Sequence, residues 1–142
     1  MIEAPRFDVW MVEDDANDIA VAMRAFRRHS LEERVHVMRD GSELMDYLQG
    51  QQLPLRAPKV ILLDLKMPRL DGRAALRALR SRPESRHIPV VVVSSSHLQS
   101  DVRECYELGA NSFVVKQLNP ASPGSYLVDT VHYWLHRNEV VC

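Results

Sequence analysis

The sequence predicts a doubly wound α/β domain, in which helices cover both faces of a parallel sheet. Apolar runs alternate five times with segments of helical periodicity, a pattern typical of wound α/β domains and not of helical bundles or β-sandwiches. The third run, Val60 to Leu63, lies between Pro58 and Pro68 and is apolar at every position. Such continuous apolarity is expected of a central parallel strand that is buried on both faces.

The five apolar runs predict five strands at residues 7–12, 34–38, 59–63, 89–94 and 112–115. The first helix, residues 16–29, places its apolar residues on one stripe and its arginines elsewhere. The second, residues 41–49, has Asp40 or Ser42 as its candidate N-cap.

Proline and glycine predict where the third and fourth helices end. Pro83 ends the third helix, because its ring cannot continue the hydrogen-bond pattern, and the fourth stops at Gly109. The fifth helix, about residues 124–138, has more apolar residues than one narrow stripe can hold. Tyr133 and Trp134 therefore either cover the sheet edge or face another chain, and both alternatives stay open.

Length and charge limit the classes of protein that fit. With 142 residues the chain suits one domain, spanning residues 1–142 with residues 139–142 as a short C-terminal tail and no separate output domain after the fifth helix. The net charge of −1 gives no broad positive field for nucleic acid. Cys105 and Cys142 lie far apart, and no apolar stretch approaches the roughly 20 residues that span a bilayer. We expect a cytoplasmic protein with no membrane or nucleic-acid partner.

Reactive polar side chains follow four of the predicted strands. Glu13 and Asp14 follow the first, Asp64 the third, Ser94 the fourth and Lys116 the fifth. Ligands of open parallel sheets bind outside the carboxyl ends of the strands, so these side chains are expected to meet there. Asp64 is expected to be exposed at its strand tip. Three serines follow one another at the end of the fourth strand, so the sequence does not settle which of them faces the site. Ser95 is the second candidate.

Three clustered carboxylates predict a bound cation, because without one they would raise each other's pKa. Oxygen donors with no nearby histidine or cysteine favour Mg²⁺ over Zn²⁺. We expect Asp14 and Asp64 to be direct ligands and Glu13 to bind directly or through water. A backbone carbonyl near Lys66 completes the predicted shell.

The same residues suit phosphoryl transfer. An aspartate carboxylate can act as a nucleophile and form an aspartyl phosphate, and Asp64 is the candidate acceptor. Transfer requires neutralisation of the equatorial phosphoryl oxygens, for which the metal and Lys116 supply charge. Ser94 follows the fourth strand, and its hydroxyl is expected to donate a hydrogen bond to the aspartyl phosphate.

Four separated segments carry a family resemblance: Val12–Asp15, Leu62–Gly72, Ser94 and Gly109–Lys116. Together they resemble a response-regulator receiver domain over nearly the whole chain. The resemblance implies a flavodoxin-like, CheY-like (βα)5 fold with a five-stranded parallel sheet in the order 2-1-3-4-5. It also implies a protein that is a phosphoacceptor, assisting its own phosphorylation and dephosphorylation, and is not otherwise an enzyme.

Within that family, the chain looks most like the single-domain regulators paired with phytochrome-type histidine kinases. Asp40–Leu48, the long loop to Pro58 and Cys105–Asn111 carry this closer resemblance. It implies that a sensor histidine kinase, such as a bacteriophytochrome, or a phosphotransfer protein supplies the phosphoryl group in a two-component phosphorelay. The resemblance further implies that the protein signals through protein binding that depends on its phosphorylation. We expect a homodimer that forms through the fourth helix, fifth strand and fifth helix.

The resemblance also implies a role for each site residue. Asp64 takes the phosphoryl group from a kinase histidine, and the two acids after the first strand organise Mg²⁺. Lys116 contacts the phosphoryl oxygens. The hydroxyl of Ser94 moves toward the phosphoryl group, and Phe113 turns inward into the space that it leaves.

Gln117 departs from the family pattern, in which proline follows the lysine and is joined by a cis peptide bond. A cis bond before another residue costs roughly 2.5 to 4 kcal/mol, so the loop after Lys116 is expected to be trans and shifted, or else strained. Gln117 keeps open a receiver-fold scaffold that is not phosphorylated. A second alternative, an aspartate-nucleophile phosphatase, generally has an acid two residues after its nucleophile, where this chain has Lys66.

Overall fold

The computed structural model describes residues 7–48, 56–67, 71–117 and 121–140. Its strands are β1 (Val9–Val12), β2 (Val35–Met38), β3 (Val60–Asp64), β4 (Val90–Ser94) and β5 (Ser112–Val115). They form one parallel sheet in the order β2-β1-β3-β4-β5, which confirms the predicted fold class and strand order.

The helices of the described residues are α1 (Ala16–Arg28), α2 (Gly41–Leu48), α3 (Gly72–Ser81), α4 (Gln99–Glu107) and α5 (Ser125–His136). A short 3₁₀ turn, Glu32–Arg34, joins α1 to β2. Three predicted stretches lie outside the described residues: position 49 at the end of the second helix, most of the loop before Pro58, and positions 141–142 of the tail.

Four of the five strands begin one or two residues later than predicted, and β5 begins at Ser112 as predicted. The first starts at Val9 and not at residue 7, because Val9 is the first residue paired with both neighbouring strands, through Val35 and Val60. The third strand continues one residue further than predicted, to Asp64, which pairs with Val93 of β4. The acceptor candidate is therefore part of the sheet and does not follow it.

Successive side chains of the strands alternate between two cores. On one face of the sheet, alternate residues such as Trp10 and Leu63 pack with α2, α3 and α4; we call this the α2/α3/α4 face. On the other face, residues such as Met11 and Leu62 pack with α1 and α5; we call this the α1/α5 face. Both cores are apolar and continuous, so each polar residue at a strand end can be assigned to one face.

Side-chain caps fix the starts of the helices beside the strand ends. Asp15 is the N-cap of α1 and accepts a hydrogen bond from the Asp18 N–H at 2.9 Å. Asp71 caps α3 in the same way. At the start of α2, the Asp40 side chain accepts from the Ser42 N–H at 2.9 Å, which favours Asp40 among the two predicted candidates. These caps hold the helix N-termini at the carboxyl edge of the sheet.

The fifth helix packs closely on the first. Gly124, which precedes α5, has a φ of 78°, and a Cβ there would lie 3.0 Å from the Ala25 Cβ. Trp134 packs against the core of the α1/α5 face, whereas Tyr133 remains 52% exposed. Trp134 thus covers the fold, and Tyr133 is the part of this aromatic pair left for solvent or a partner. Among the described residues, the structure contains no helix that is long and apolar enough to cross a membrane.

Candidate functional site

Strand alternation brings three charged side chains to one face. Glu13, Asp64 and Lys116 each stand two residues after a hydrophobic residue of the α1/α5 face, and side chains two apart in a strand point the same way. The three hydrophobic residues are Met11, Leu62 and Val114. Because β1, β3, β4 and β5 are parallel, these side chains meet at the carboxyl edge of the sheet.

The three predicted acids converge there. Glu13, Asp14 and Asp64 each have a carboxylate oxygen within 4.8 Å of the others. Glu13 is 6% exposed and Asp64 is 7% exposed. The expectation that Asp64 is exposed at a strand tip was therefore wrong, because β3 is the central strand and its last residue is covered by neighbouring strands and loops. The acceptor candidate lies at the base of a recess.

Lys116 reaches this carboxylate cluster despite the residue that follows it. Its Nζ lies 3.0 Å from Glu13 Oε2, 2.7 Å from Asp18 Oδ2 and 3.7 Å from Asp64 Oδ1. The Lys116 N–H donates to the Ser94 carbonyl at 2.7 Å, which anchors the end of β5 to β4. The peptide bond between Lys116 and Gln117 is trans, so the strained cis bond does not occur at this position.

Burial and mutual repulsion perturb the charges of the site. Burial, with the negative charge of Asp64, raises the pKa of Glu13 to about 7. Burial also raises the pKa of Asp64. For Lys116, burial alone would lower the pKa, but the hydrogen bond to Asp18 and the charges of Asp64 and Glu13 raise it overall. One ammonium does not compensate the buried carboxylates, so the site favours an additional cation.

The donor chemistry fits a hard divalent cation. All three converging side chains offer carboxylate oxygens, the ligands that Mg²⁺ and Mn²⁺ prefer. Among the described residues, no histidine or cysteine joins this group of possible ligands. Lys66 is exposed, and its N–H points to Asp64 Oδ1 at 3.4 Å.

The serine run divides between the two faces. Ser94 is 1% exposed, and its Oγ accepts a hydrogen bond from the Ser96 N–H at 3.1 Å. By alternation, Ser94 lies on the α2/α3/α4 face, where Phe113 also packs. Ser95 instead lines the recess that contains Asp64. The two predicted switch residues therefore share a face, and it is the neighbouring serine that contacts the recess.

The recess is a cavity of about 380 Å³ between the carboxyl edge of the sheet and helices α1 and α5. Its lining includes the ionisable side chains of Asp18 and Tyr126, which were not among the predicted site residues. For Asp18 the sequence contains a usable signal, because an acid in the first turn of α1 must lie near the end of β1. Tyr126 gave no such signal, since its position depends on how α5 packs on α1.

The family profile of the response regulator receiver domain matches residues 9–123. The chain belongs to this family, and it is a response regulator of two-component signalling. FilR2 of Methanothrix harundinacea, a probable methanogenesis regulatory protein, is 33% identical over 133 residues, which is 93% of this chain and 86% of FilR2. Response regulator Rcp1 of Synechocystis is 31% identical over 129 residues, which is 89% of this chain and 88% of Rcp1.

Two solved structures of such regulators share the fold closely. The phosphorylated cyanobacterial phytochrome response regulator RcpA has a TM-score of 0.86 at 31% identity, covering 97% of this chain and 100% of RcpA. The Mn²⁺-bound form of Rcp1 has a TM-score of 0.84 at 29% identity, with the same coverage of 97% and 100%. The chain is therefore similar in sequence and fold to regulators associated with phytochromes.

Proposed function

We propose that Asp64 accepts a phosphoryl group from a phosphohistidine of a sensor histidine kinase or a phosphotransfer protein. The observation that carries this proposal is the convergence of three carboxylates and the Lys116 ammonium on one recess at the carboxyl edge of the sheet. The described fold, with all five strands and five helices, supports one receiver domain extending over the chain.

The proposed metal is Mg²⁺, held by Glu13, Asp14, Asp64 and the backbone carbonyl of Lys66. A bound divalent cation neutralises charge on the phosphoryl oxygens and on the carboxylates around them. That Rcp1 has a Mn²⁺-bound form supports a metal at the acidic cluster of this chain.

The transfer itself needs few protein groups. An oxygen of the Asp64 carboxylate forms a bond to phosphorus, the bond from phosphorus to the histidine nitrogen breaks, and its electron pair stays on the imidazole. Lys116 lies close enough to Asp64 to donate to the phosphoryl oxygens, where negative charge is spread during transfer. Hydrolysis later returns the carboxylate and releases inorganic phosphate.

The signalling step is proposed to begin at Ser94. Its hydroxyl leaves its contact with the Ser96 N–H, turns past the end of β4 from the α2/α3/α4 face toward the recess, and donates to the new phosphoryl group. Phe113, half-buried on the same face, turns into the vacated space and changes the surface near α4 and β5. Phe113 has no hydroxyl, so this change is carried by packing alone.

The proposed partner is a phytochrome-type histidine kinase, which the likeness to RcpA supports. A homodimer through α4, β5 and α5 is proposed as the output, with exposed Tyr106 and Tyr133 as candidate contacts on its two helices. Gel filtration with and without a phosphoryl analogue checks this, since an unchanged mass would exclude phosphorylation-dependent dimerisation.

Intact-mass measurement tests the phosphoacceptor proposal. Wild type incubated with acetyl phosphate and Mg²⁺ should gain one labile phosphoryl adduct, which Asp64→Asn and excess chelator should both abolish. The matched control is Asp71→Asn, which removes an exposed acid outside the carboxylate cluster and should still be labelled. An unlabelled wild type, with a known receiver labelled in parallel, would favour the scaffold alternative.

A further inference from the structure

We propose that Asp18 is a positioning residue for Lys116, which it holds beside Asp64 but out of direct contact with it. This inference rests on the proposed role of Asp64 as phosphoacceptor. The Lys116 Nζ lies 2.7 Å from Asp18 Oδ2 and 3.7 Å from Asp64 Oδ1. The ammonium group thus donates hydrogen bonds to Asp18 of helix α1 and to Glu13, and the bond to Asp18 is the shorter of the two, whereas the acceptor carboxylate lies farther away.

The distance between Lys116 Nζ and Asp64 Oδ1 is too long for the ammonium to block the nucleophilic carboxylate oxygen. Direct hydrogen bonds between ammonium and carboxylate groups are about 2.7 to 2.9 Å long. At 3.7 Å, Lys116 lies near Asp64 without occupying the oxygen that must attack phosphorus. A phosphoryl group bonded to Asp64 places its own oxygens between the two residues, so the ammonium is already located where those oxygens arrive.

Asp18 is well fixed for this purpose. It lies in the first turn of α1, and its N–H donates to the Asp15 side chain at 2.9 Å. Lysine, in contrast, has a flexible four-carbon stem that needs a partner to hold one position. The family proline after the lysine is absent here, and Gln117 follows through a trans peptide bond. Asp18 therefore fixes from the helix side a lysine that is not followed by proline in this chain.

Loss of Asp18 leaves Glu13 and Asp64 as the carboxylates nearest to the ammonium of Lys116. Both attract it toward the base of the recess, where it would compete with phosphorus for the acceptor oxygen. The Asp18 side chain is 46% exposed, so the ion pair itself adds little to stability. Its effect should appear in phosphoryl chemistry and not in unfolding.

The test compares Asp18→Ala with wild type, with Asp18→Glu as the conservative variant. Asp129→Ala, which removes an exposed acid from α5, is the charge-matched control. Asp18→Ala should label roughly tenfold more slowly with acetyl phosphate and bind the phosphoryl analogue beryllium fluoride roughly tenfold more weakly, as loss of one charge-assisted hydrogen bond suggests. Asp18→Glu should recover most of the labelling rate, and Asp129→Ala should match wild type.

A double-mutant comparison decides whether Asp18 acts through Lys116. In a Lys116→Ala background, Asp18→Ala should produce no further loss of labelling or analogue binding. An equal further loss in that background, or wild-type labelling by Asp18→Ala, would each overturn the inference. Failure of wild type to label at Asp64 would overturn the proposed function as well, so the two failures are distinguishable.

Discussion

A methyl group on Gly72 would lie 2.6 Å from the carbonyl oxygen of Asp64, so the first residue of α3 touches the backbone that carries the proposed acceptor. The Gly72 N–H also donates to the Leu65 carbonyl at 3.1 Å. Only glycine fits this contact, because the nearest atoms are backbone atoms that cannot rotate away. The start of α3 thereby fixes the segment that leaves β3.

Gly72→Ala should destabilise the fold and impair the site together. Overpacking against a rigid backbone costs about 1 to 3 kcal/mol, which urea unfolding will show as a lower midpoint. Labelling of Asp64 by acetyl phosphate should also slow, because the shift displaces the acceptor strand. Arg77→Ala, at an exposed position of the same helix, is the control and should change neither quantity. A Gly72→Ala variant as stable as wild type would contradict this account of the contact.

Glu13 should make the metal-free protein less stable as the pH rises. Its pKa is about 7 in the folded protein, above its ordinary value of 4.5, because of burial and the charge of Asp64. The favourable contribution is complete below about pH 4.5 and is lost as the pH rises through about 7, when the buried carboxyl must ionise. The full loss is about 3 kcal/mol. Urea unfolding at a series of pH values, in the presence of chelator, measures it.

Two further measurements, on the Glu13→Gln variant and in the presence of Mg²⁺, show whether this pH dependence arises from the carboxylate cluster. Glu13→Gln should flatten most of the decline, leaving the part due to Asp64, whose pKa is also raised by burial. Mg²⁺ at pH 8 should restore stability in wild type, because a bound cation compensates the ionised carboxylates. A decline that persists unchanged in Glu13→Gln would assign the effect to other groups.

Strand alternation explains why so much of this site could be predicted from the sequence. Once each apolar run is placed in a parallel sheet, the side chains at the strand ends must meet at one edge. Glu13, Asp14, Asp64 and Lys116 did meet there. The family resemblance, carried by the motifs at these strand ends, also implied the strand order that the structure confirms.

What the sequence did not predict depends on packing between distant elements. The burial of Asp64 results from neighbours on both sides of β3, and the contact between Asp18 and Lys116 joins residues far apart in the chain. The face of each serine in the run depends on register, which a run of identical residues cannot specify. These features arise from three-dimensional packing, which local sequence patterns do not encode.

Arg80 should be a major source of stability at the opposite edge of the sheet. Its guanidinium donates to three carbonyl oxygens and to the Asn111 side chain, at distances of 2.7 to 3.1 Å. The carbonyls belong to Arg86, Ile88 and Gly109. Arg80→Met would remove these four hydrogen bonds, leaving the Asn111 Oδ1 with the Val90 N–H alone, and should lower the unfolding free energy by roughly 2 to 4 kcal/mol.

Urea unfolding of Arg80→Met, beside the exposed control Arg77→Met, measures this contribution. Because these contacts precede β4 and β5, far from the carboxyl edge, the phosphorylation rate of the folded variant should match wild type. A large change in phosphorylation rate with little loss of stability would show that this cluster acts on the site and is not mainly structural.

Lys66 should lengthen the lifetime of the phosphoryl group. It stands two residues after Asp64 and is exposed, so its side chain can cover the path of a water molecule that attacks phosphorus. Lys66→Asn should therefore hydrolyse its aspartyl phosphate about three- to tenfold faster, which corresponds to at most about 1.4 kcal/mol in the barrier. Decay of the phosphoryl adduct, followed by intact mass after removal of acetyl phosphate, gives the rate.

Lys59→Asn, before the start of β3, removes the same charge far from the recess, and its phosphoryl adduct should decay like that of wild type. An unchanged rate in Lys66→Asn would show that water reaches the phosphoryl group by a path that this side chain does not cover.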